Sequence, residues 1–264
     1  FCAKNEYNII VVARNEDDLK KTVSQLDNLY ANRNEYYSLD VSDYQQVQVF
    51  ADSLRKRKLT INGLINCAGI LGPIGKITEI DITKYLDAIK INLMGTVNMC
   101  ALIVPLLSSD NRAKIINYSG GGAASSFPFY SAYATSKVAI ARLTENLSVE
   151  FEENEIDVNC IAPGFVNTRI HQETISAGPK NSGKKYYDNT IDQIQGKSIS
   201  PNYAAELSIF LLSKESDFIS GKFISAPWDN WREKSFQQKL KDDKDFATIR
   251  RIDDKTFFKH EDEK

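Results

Sequence analysis

A single α/β domain, a doubly wound parallel sheet, is predicted from three features of this 264-residue chain. Short strand-like runs alternate with longer stretches of helical periodicity, the order that builds a parallel sheet wrapped by helices. No internal repeat, low-complexity linker or second domain boundary interrupts the alternation. A hydrophobic fraction of 42% at this length also suffices for one sizeable core.

Taken in order, residues 7–13 form the first strand-like run, Tyr-Asn-Ile-Ile-Val-Val-Ala. Asn15 then stands as an N-cap, with Asp18 in the first turn complementing the helix dipole, and opens a helix over 16–30. A strand at 35–39 and a helix at 43–57 follow. The next strand, 61–66, runs into Asn66-Cys67-Ala68-Gly69. The helix over 82–107 repeats Ile82, Leu86, Ile89, Leu93 and Val97 at helical spacing. Strand 113–118 leads to a helix over 131–152 with the apolar series Ile140, Leu143, Leu147 and Phe151. Strand 156–162, helix 202–213 and strand 222–226 complete the pattern.

Composition excludes several functions. A net charge of −2 leaves no electrostatic footprint for nucleic acid or anionic membrane. No uninterrupted apolar run approaches the ~20 residues of a membrane span, and no signal-peptide pattern opens the chain. Cys2, Cys67, Cys100 and Cys160 are scattered, without metal-ligand spacing, and read as reduced thiols of a cytoplasmic protein. His171 and His260 are too isolated for a zinc site.

The chemistry is concentrated in Tyr133-Ala-Thr-Ser-Lys137. A tyrosine and a lysine four residues apart on a helix share one face. A free phenol titrates near ~10, and a neighbouring ammonium lowers that value, so the pair is expected to move a proton at neutral pH. Around the pair stand, in fixed order, Asn66-Cys67-Ala68-Gly69 after an apolar run, Asn92 in Lys90-Ile91-Asn92-Leu93-Met94-Gly95, and Ser119 after Lys114-Ile115-Ile116-Asn117-Tyr118. Pro163-Gly164-Phe165-Val166-Asn167-Thr168 comes last.

This ordered set resembles the classical short-chain dehydrogenase/reductase family, from about residue 7 to about residue 226. The resemblance implies a Rossmann-like domain over 1–226, a charged tail over 227–264, and an oxidoreductase that interconverts a carbonyl and a secondary alcohol by hydride transfer. In that reading Tyr133 is the acid/base, Lys137 tunes it and binds the nicotinamide ribose, Ser119 holds the substrate oxygen, and Asn92 is the fourth member of the catalytic set. Ser119 precedes Tyr133 by fourteen positions where thirteen is the commoner family spacing; the glycines at 120, 121 and 122 are expected to absorb the extra residue. Ser131 is the rival hydroxyl. The family also has a strand between those at 7–13 and 61–66, followed by a glycine-rich phosphate turn. Those residues, about 20 of them, are expected ahead of Phe1.

Cofactor choice follows the same resemblance. NAD enzymes place an acidic residue at the end of the second strand. Here Ala13 is followed by Arg14 and Asn15, whose guanidinium and amide suit a ribose 2′-phosphate, so NADP(H) is expected rather than NAD. Asp40 and Val41 match the adenine contacts, Asn66, Ala68 and Gly69 the adenine-ribose side, and Pro163, Gly164, Val166 and Thr168 the nicotinamide end. A protein that binds NADP for regulation without turnover is the alternative reading on the same fold.

Residues 169–200 correspond to the family's variable substrate loop. Lys180, Lys184, Lys185, Tyr186 and Tyr187 there suit a sugar-nucleotide or other phosphorylated carbonyl compound, whereas Phe127, Phe129 and Phe165 suit a 3-oxoacyl chain. Helices 82–107 and 131–152 carry apolar residues beyond one sheet-facing stripe, among them Met94, Met99, Ala101, Leu102 and Val104 on the first and Val138, Ala139, Ala141 and Val149 on the second. A homodimer through these helices, or a homotetramer built from it, is therefore expected.

Overall fold

Each predicted strand and helix is present within a few residues of its expected bounds in the computed structural model, which describes residues 1–108 and 110–251. Six strands, β1 (Ile9–Ala13), β2 (Asn34–Ser38), β3 (Gly63–Asn66), β4 (Ala113–Tyr118), β5 (Ile156–Ala162) and β6 (Phe223–Ser225), pair in parallel throughout. They form two hydrogen-bonded sets, β1-β2 and β3-β4-β5-β6. Where the resemblance puts a further strand, between β1 and β3, lies a cavity of about 610 Å³ lined on one side by residues 9–12 and on the other by 61–65.

Short polar caps set the helix starts. The Asn15 side chain accepts from the Asp18 amide and opens α1 (Glu16–Leu29). Asp43 does the same for α2 (Tyr44–Lys56), and Asp81 for α3 (Ile82–Ile89). Such caps satisfy amides that the first turn of a helix leaves without partners. The chain then runs without a break through α3, a wider π turn at Lys90–Met94, and α4 (Gly95–Ile103). After β4 comes α5 (Ser131–Glu150), and after β5 come α6 (Ile170–Ser182, broken at Gly178), α7 (Lys184–Asp192) and α8 (Pro201–Leu212). The segment 169–200, expected as a loop, is therefore largely helical. Its polar composition conceals the helices because only a few of its side chains are buried.

The core has two parts. In one, Val47, Phe50 and Leu54 of α2 and Met99, Leu102 and Ile103 of α4 pack against Leu64, Ile115 and Val158 of the sheet. In the other, Ile116, Ile161 and Ile224 of the sheet pack against Leu207 and Leu211 of α8, joined by Trp231 and by Leu240 of α9 (Lys234–Asp242). The described residues beyond 226 are thus packed on the domain. Buried Lys222 donates to the carbonyls of Asp243 (2.6 Å), Lys244 (3.1 Å) and Phe246 (3.1 Å), and Phe223 N–H to Ala247 (2.7 Å), laying the chain along the outer edge of β6. Residues 252–264, with His260 and the end of the expected tail, lie outside the described residues.

The 25-residue stretch Ile82–Leu106 is long and apolar enough to cross a membrane, with a mean hydropathy of 1.5 in its most apolar window. Its sequence is not a continuous apolar run, since Lys84, Asp87, Lys90 and Asn92 interrupt it. Of that window, 44% is buried within the fold, and the stretch packs on α2, α5 and β3.

Candidate active site

The carboxyl ends of β3, β4 and β5 lie side by side, because the register pairs Asn66 with Asn117 and Asn117 with Cys160. In sheets of this kind ligands bind at that edge. The side chains of Asn66 and Asn117 meet there, the Asn66 amide donating to Asn117 Oδ1 at 2.9 Å. Asn66 is thus engaged in tying β3 to β4, its amide also reaching Cys100 Sγ at 3.4 Å. Gly69 comes close to the reactive groups: a Cβ there would sit 3.2 Å from Asn92 Oδ1 and 3.4 Å from Lys137 Nζ.

The π turn supplies Asn92. Widening the helix by one residue turns this side chain inward, where it is fully buried. Its Oδ1 accepts from Ile70 N–H (2.8 Å), and its amide donates to Ile70 C=O (2.9 Å) and to Ser136 Oγ (2.8 Å). Ser136 in turn donates to the Tyr133 carbonyl at 2.7 Å. Asn92 therefore pins the loop after β3 to the turn of α5 that carries Tyr133 and Lys137.

Lys137, 4% exposed, donates to Tyr118 C=O at 2.8 Å. Burial pulls its pKa down to about 8. Burial also pushes the Tyr133 phenol up to about 12, with Cys67 close by adding to the rise. The expected lowering of the phenol by the lysine is not seen in this arrangement. The ammonium lies 5.6 Å from the Tyr133 ring centre and is turned to the Tyr118 carbonyl, so desolvation dominates.

The hydroxyl expected at the substrate is turned elsewhere. Ser119, 2% exposed, donates its Oγ–H to the Lys137 carbonyl at 2.9 Å. Gly120 is the residue that faces the acid: a Cβ on it would lie 2.7 Å from Tyr133 Oη. The spacing rule held this signal, since residue 120 is thirteen positions before Tyr133. The rival Ser131 has a buried hydroxyl with no protein partner.

Rings crowd the other side of Tyr133. Phe127 stacks on Tyr130 (4.4 Å between centres, 10°) and presents an edge arrangement to Tyr133 at 6.4 Å. Tyr186 of α7 packs edge-on against Phe127 (4.8 Å) and Tyr130 (5.0 Å). The buried Tyr130 hydroxyl bonds to Thr174 of α6 at 3.0 Å, so α6 and α7 are both seated on the segment leading into α5. Neither Tyr130 nor Thr174 carried a signal in the sequence, because nothing local marks an inter-element contact. Phe165 stacks on His171 at 3.7 Å.

The residues expected at a dinucleotide are spread along the same edge. Arg14 follows β1 with its guanidinium mostly exposed, 3.9 Å from Asp40. Asn15 is occupied as the α1 cap, and Asp40 accepts from the amide and hydroxyl of Ser42. Val41 packs against the helix at Gly95, where a Cβ would meet it at 2.6 Å, and its carbonyl accepts from Asn98 at 3.0 Å. Beyond β5, Gly164 takes a positive φ of 78° to turn Pro163–Thr168 across the edge, Val166 N–H closes on Gly164 C=O, and the Thr168 carbonyl accepts from His171 N–H. A nicotinamide dinucleotide fits this edge in two respects. Gly69 leaves bare backbone beside Lys137, and Arg14 offers a cation at the far end.

Comparison with known proteins agrees with this architecture. The family model for short chain dehydrogenases matches residues 1–178. The chain belongs to the short-chain dehydrogenase family. It is accordingly an NAD(P)-dependent dehydrogenase or reductase. Among relatives, it is 28% identical over 219 residues to the uncharacterized oxidoreductase YxbG of Bacillus subtilis, covering 83% of this chain and 80% of that protein. It is 25% identical to the NADP-dependent 3-hydroxy acid dehydrogenase of Schizosaccharomyces pombe, covering 83% and 82%. A crystal structure of a short chain dehydrogenase from Salmonella enterica serovar Typhi superposes with a TM-score of 0.71 at 23% identity, covering 83% and 85%, which speaks for the fold.

Proposed function

We propose that this short-chain dehydrogenase reduces a ketone to a secondary alcohol with NADPH, Tyr133 giving the proton. The observation that carries the reading is the Tyr133–Lys137 pair, one helical turn apart at the carboxyl edge of the sheet, with the Lys137 ammonium 5.6 Å from the Tyr133 ring centre. A neutral phenol is the form a general acid needs. Lys137, still largely charged at pH 7, balances the tyrosinate left behind. Asn92 and Ser136 hold that helical turn in place. Bound along the edge from Arg14 to Thr168, the nicotinamide would supply the hydride. Arg14 favours NADPH by pairing with its 2′-phosphate, and the NADP dependence of the fission-yeast relative supports that choice.

Replacing Tyr133 with phenylalanine keeps the ring and deletes the proton. Ketone reduction should fall by ~10²–10⁴-fold, while NADPH binding, read by nicotinamide fluorescence, persists. A variant retaining more than about a tenth of the wild-type rate would exclude Tyr133 as the acid. The turned-away Ser119 hydroxyl is the one observation that favours an NADP-binding regulator without turnover; the absence of NADPH oxidation with any ketone would select that reading.

We further assign a homodimer to the exposed apolar residues Ile82, Leu86 and Met94; Val149 of α5 is exposed too. Met99, Leu102 and Ala141, by contrast, are buried within the chain. The four unpaired cysteines suit a reducing, cytoplasmic setting.

A further inference from the structure

A reductase of this design needs the Lys137 charge to stay beside Tyr133, yet a lysine is a point charge on a flexible four-carbon stem. The end of β4 holds this lysine at both ends. At the head, Lys137 Nζ donates to Tyr118 C=O at 2.8 Å. At the root, the Lys137 main-chain carbonyl accepts from Ser119 Oγ–H at 2.9 Å. One residue earlier in the strand, Asn117 donates to Thr144 Oγ1 at 2.9 Å, two helical turns further along the same face of α5. Three consecutive residues at one strand end therefore grip one face of the helix. Ser119 is itself fixed from the other side. Its N–H donates to Ile161 C=O at 2.9 Å, extending the ladder between β4 and β5, and the residue is buried. Turning its hydroxyl toward a substrate would cost a buried hydrogen bond. Gly120, and not Ser119, is the residue against the phenol, since a Cβ there would meet Tyr133 Oη at 2.7 Å.

We propose that Ser119 is a positioning residue for Lys137: its hydroxyl fixes the main chain from which the lysine side chain starts, and it makes no contact with the substrate oxygen. This rests on the carbonyl-reductase reading above and departs from the role that the family resemblance implies for this serine. The reaction is unchanged: hydride goes from NADPH to the carbonyl carbon, the Tyr133 proton goes to the oxygen, and NADP⁺ leaves. The ammonium balances the tyrosinate, and that balance weakens as the two charges move apart. Without the Ser119 hydroxyl the root of the lysine is free to shift, and small displacements of groups at a reacting centre slow the chemistry. The effect passes through the ammonium, so it vanishes once the ammonium is gone. A hydroxyl bonded to the substrate oxygen would act on the reaction whether the lysine were there or not.

The test is a cycle of wild type, Ser119→Ala, Lys137→Met and the double variant, with NADPH and a panel of small ketones headed by 2,3-butanedione. Ser119→Ala should lower kcat about tenfold with the ketone KM little changed. The same change made in Lys137→Met should leave the residual kcat where it was, because the path through the lysine is already cut. Ser119→Thr keeps a hydroxyl for the Lys137 carbonyl; it should hold the wild-type kcat, and it serves where the alanine variant does not fold. An equal loss in both backgrounds, or a loss that appears in KM, puts the hydroxyl on the substrate and overturns the positioning role alone. An unchanged kcat in folded Ser119→Ala overturns it as well. Failure of the wild type to reduce any ketone of the panel while NADPH still binds overturns the reductase reading and this inference with it.

Discussion

Replacing Asn92 with alanine removes three hydrogen bonds at once, to Ile70 N–H at 2.8 Å, Ile70 C=O at 2.9 Å and Ser136 Oγ at 2.8 Å, the first two part-buried and the third buried. The alanine leaves the amide and carbonyl of half-buried Ile70 without these partners. Unmet buried groups cost ~1–3 kcal/mol each, less where water enters. A total of roughly 3 kcal/mol is expected from these groups. For a chain of this size 1 kcal/mol corresponds to ~2–4 °C in Tm, so the melting temperature should drop by about 6 °C or more, read by calorimetry. Turnover should fall as well, by ~10–100-fold, because the turn bearing Tyr133 and Lys137 is no longer tied to the β3 loop. Ser136→Ala breaks one of the same bonds and its own bond to Tyr133 C=O. The double variant should therefore be less destabilised than the two single changes added together, since the Asn92–Ser136 bond is counted in both. A Tm within about 2 °C of wild type for Asn92→Ala, or strict additivity in the cycle, would refute the pinning role.

Three other outcomes follow from the geometry. Arg14→Ala should weaken NADPH binding by at least about tenfold and leave NADH nearly untouched in a fluorescence titration; equal losses would mean that Arg14 does not read the 2′-phosphate. Ketone reduction should hold up to about pH 8 and decline above it as the buried Lys137, lowered to about 8, loses the charge that balances tyrosinate, while the phenol at about 12 stays protonated. That alkaline limb should vanish from the residual activity of Lys137→Met, and a flat wild-type profile through pH 9.5 would contradict the assignment. Leu86→Asp, on the exposed stripe of α3, should convert the dimer to a monomer by light scattering without altering NADPH affinity; a wild type of about 30 kDa, the mass of one chain, would remove the dimer from consideration.

The family, the parallel sheet and the Tyr133–Lys137 pair were legible in the sequence. Each is written locally: consecutive apolar residues make the strands, Asn15, Asp43 and Asp81 cap the helices, and a spacing of four puts two side chains on one helical face. What depended on packing between distant elements was not legible. The helices at Ile170–Ser182 and Lys184–Asp192 were hidden in polar sequence, because what holds them is contact with Tyr130 and Phe127 some fifty residues earlier. The direction of the Ser119 hydroxyl was decided by a carbonyl eighteen residues away, and so the place beside the acid fell to Gly120. The phenol and ammonium shifted in ways their sequence spacing does not foretell, since burial in the assembled cleft outweighs their attraction. Sequence by itself determined which groups this protein has and the order of the elements that carry them. Only the tertiary structure decided which atoms face one another, because hydrogen-bond direction and desolvation belong to the packed whole and to no local stretch of chain.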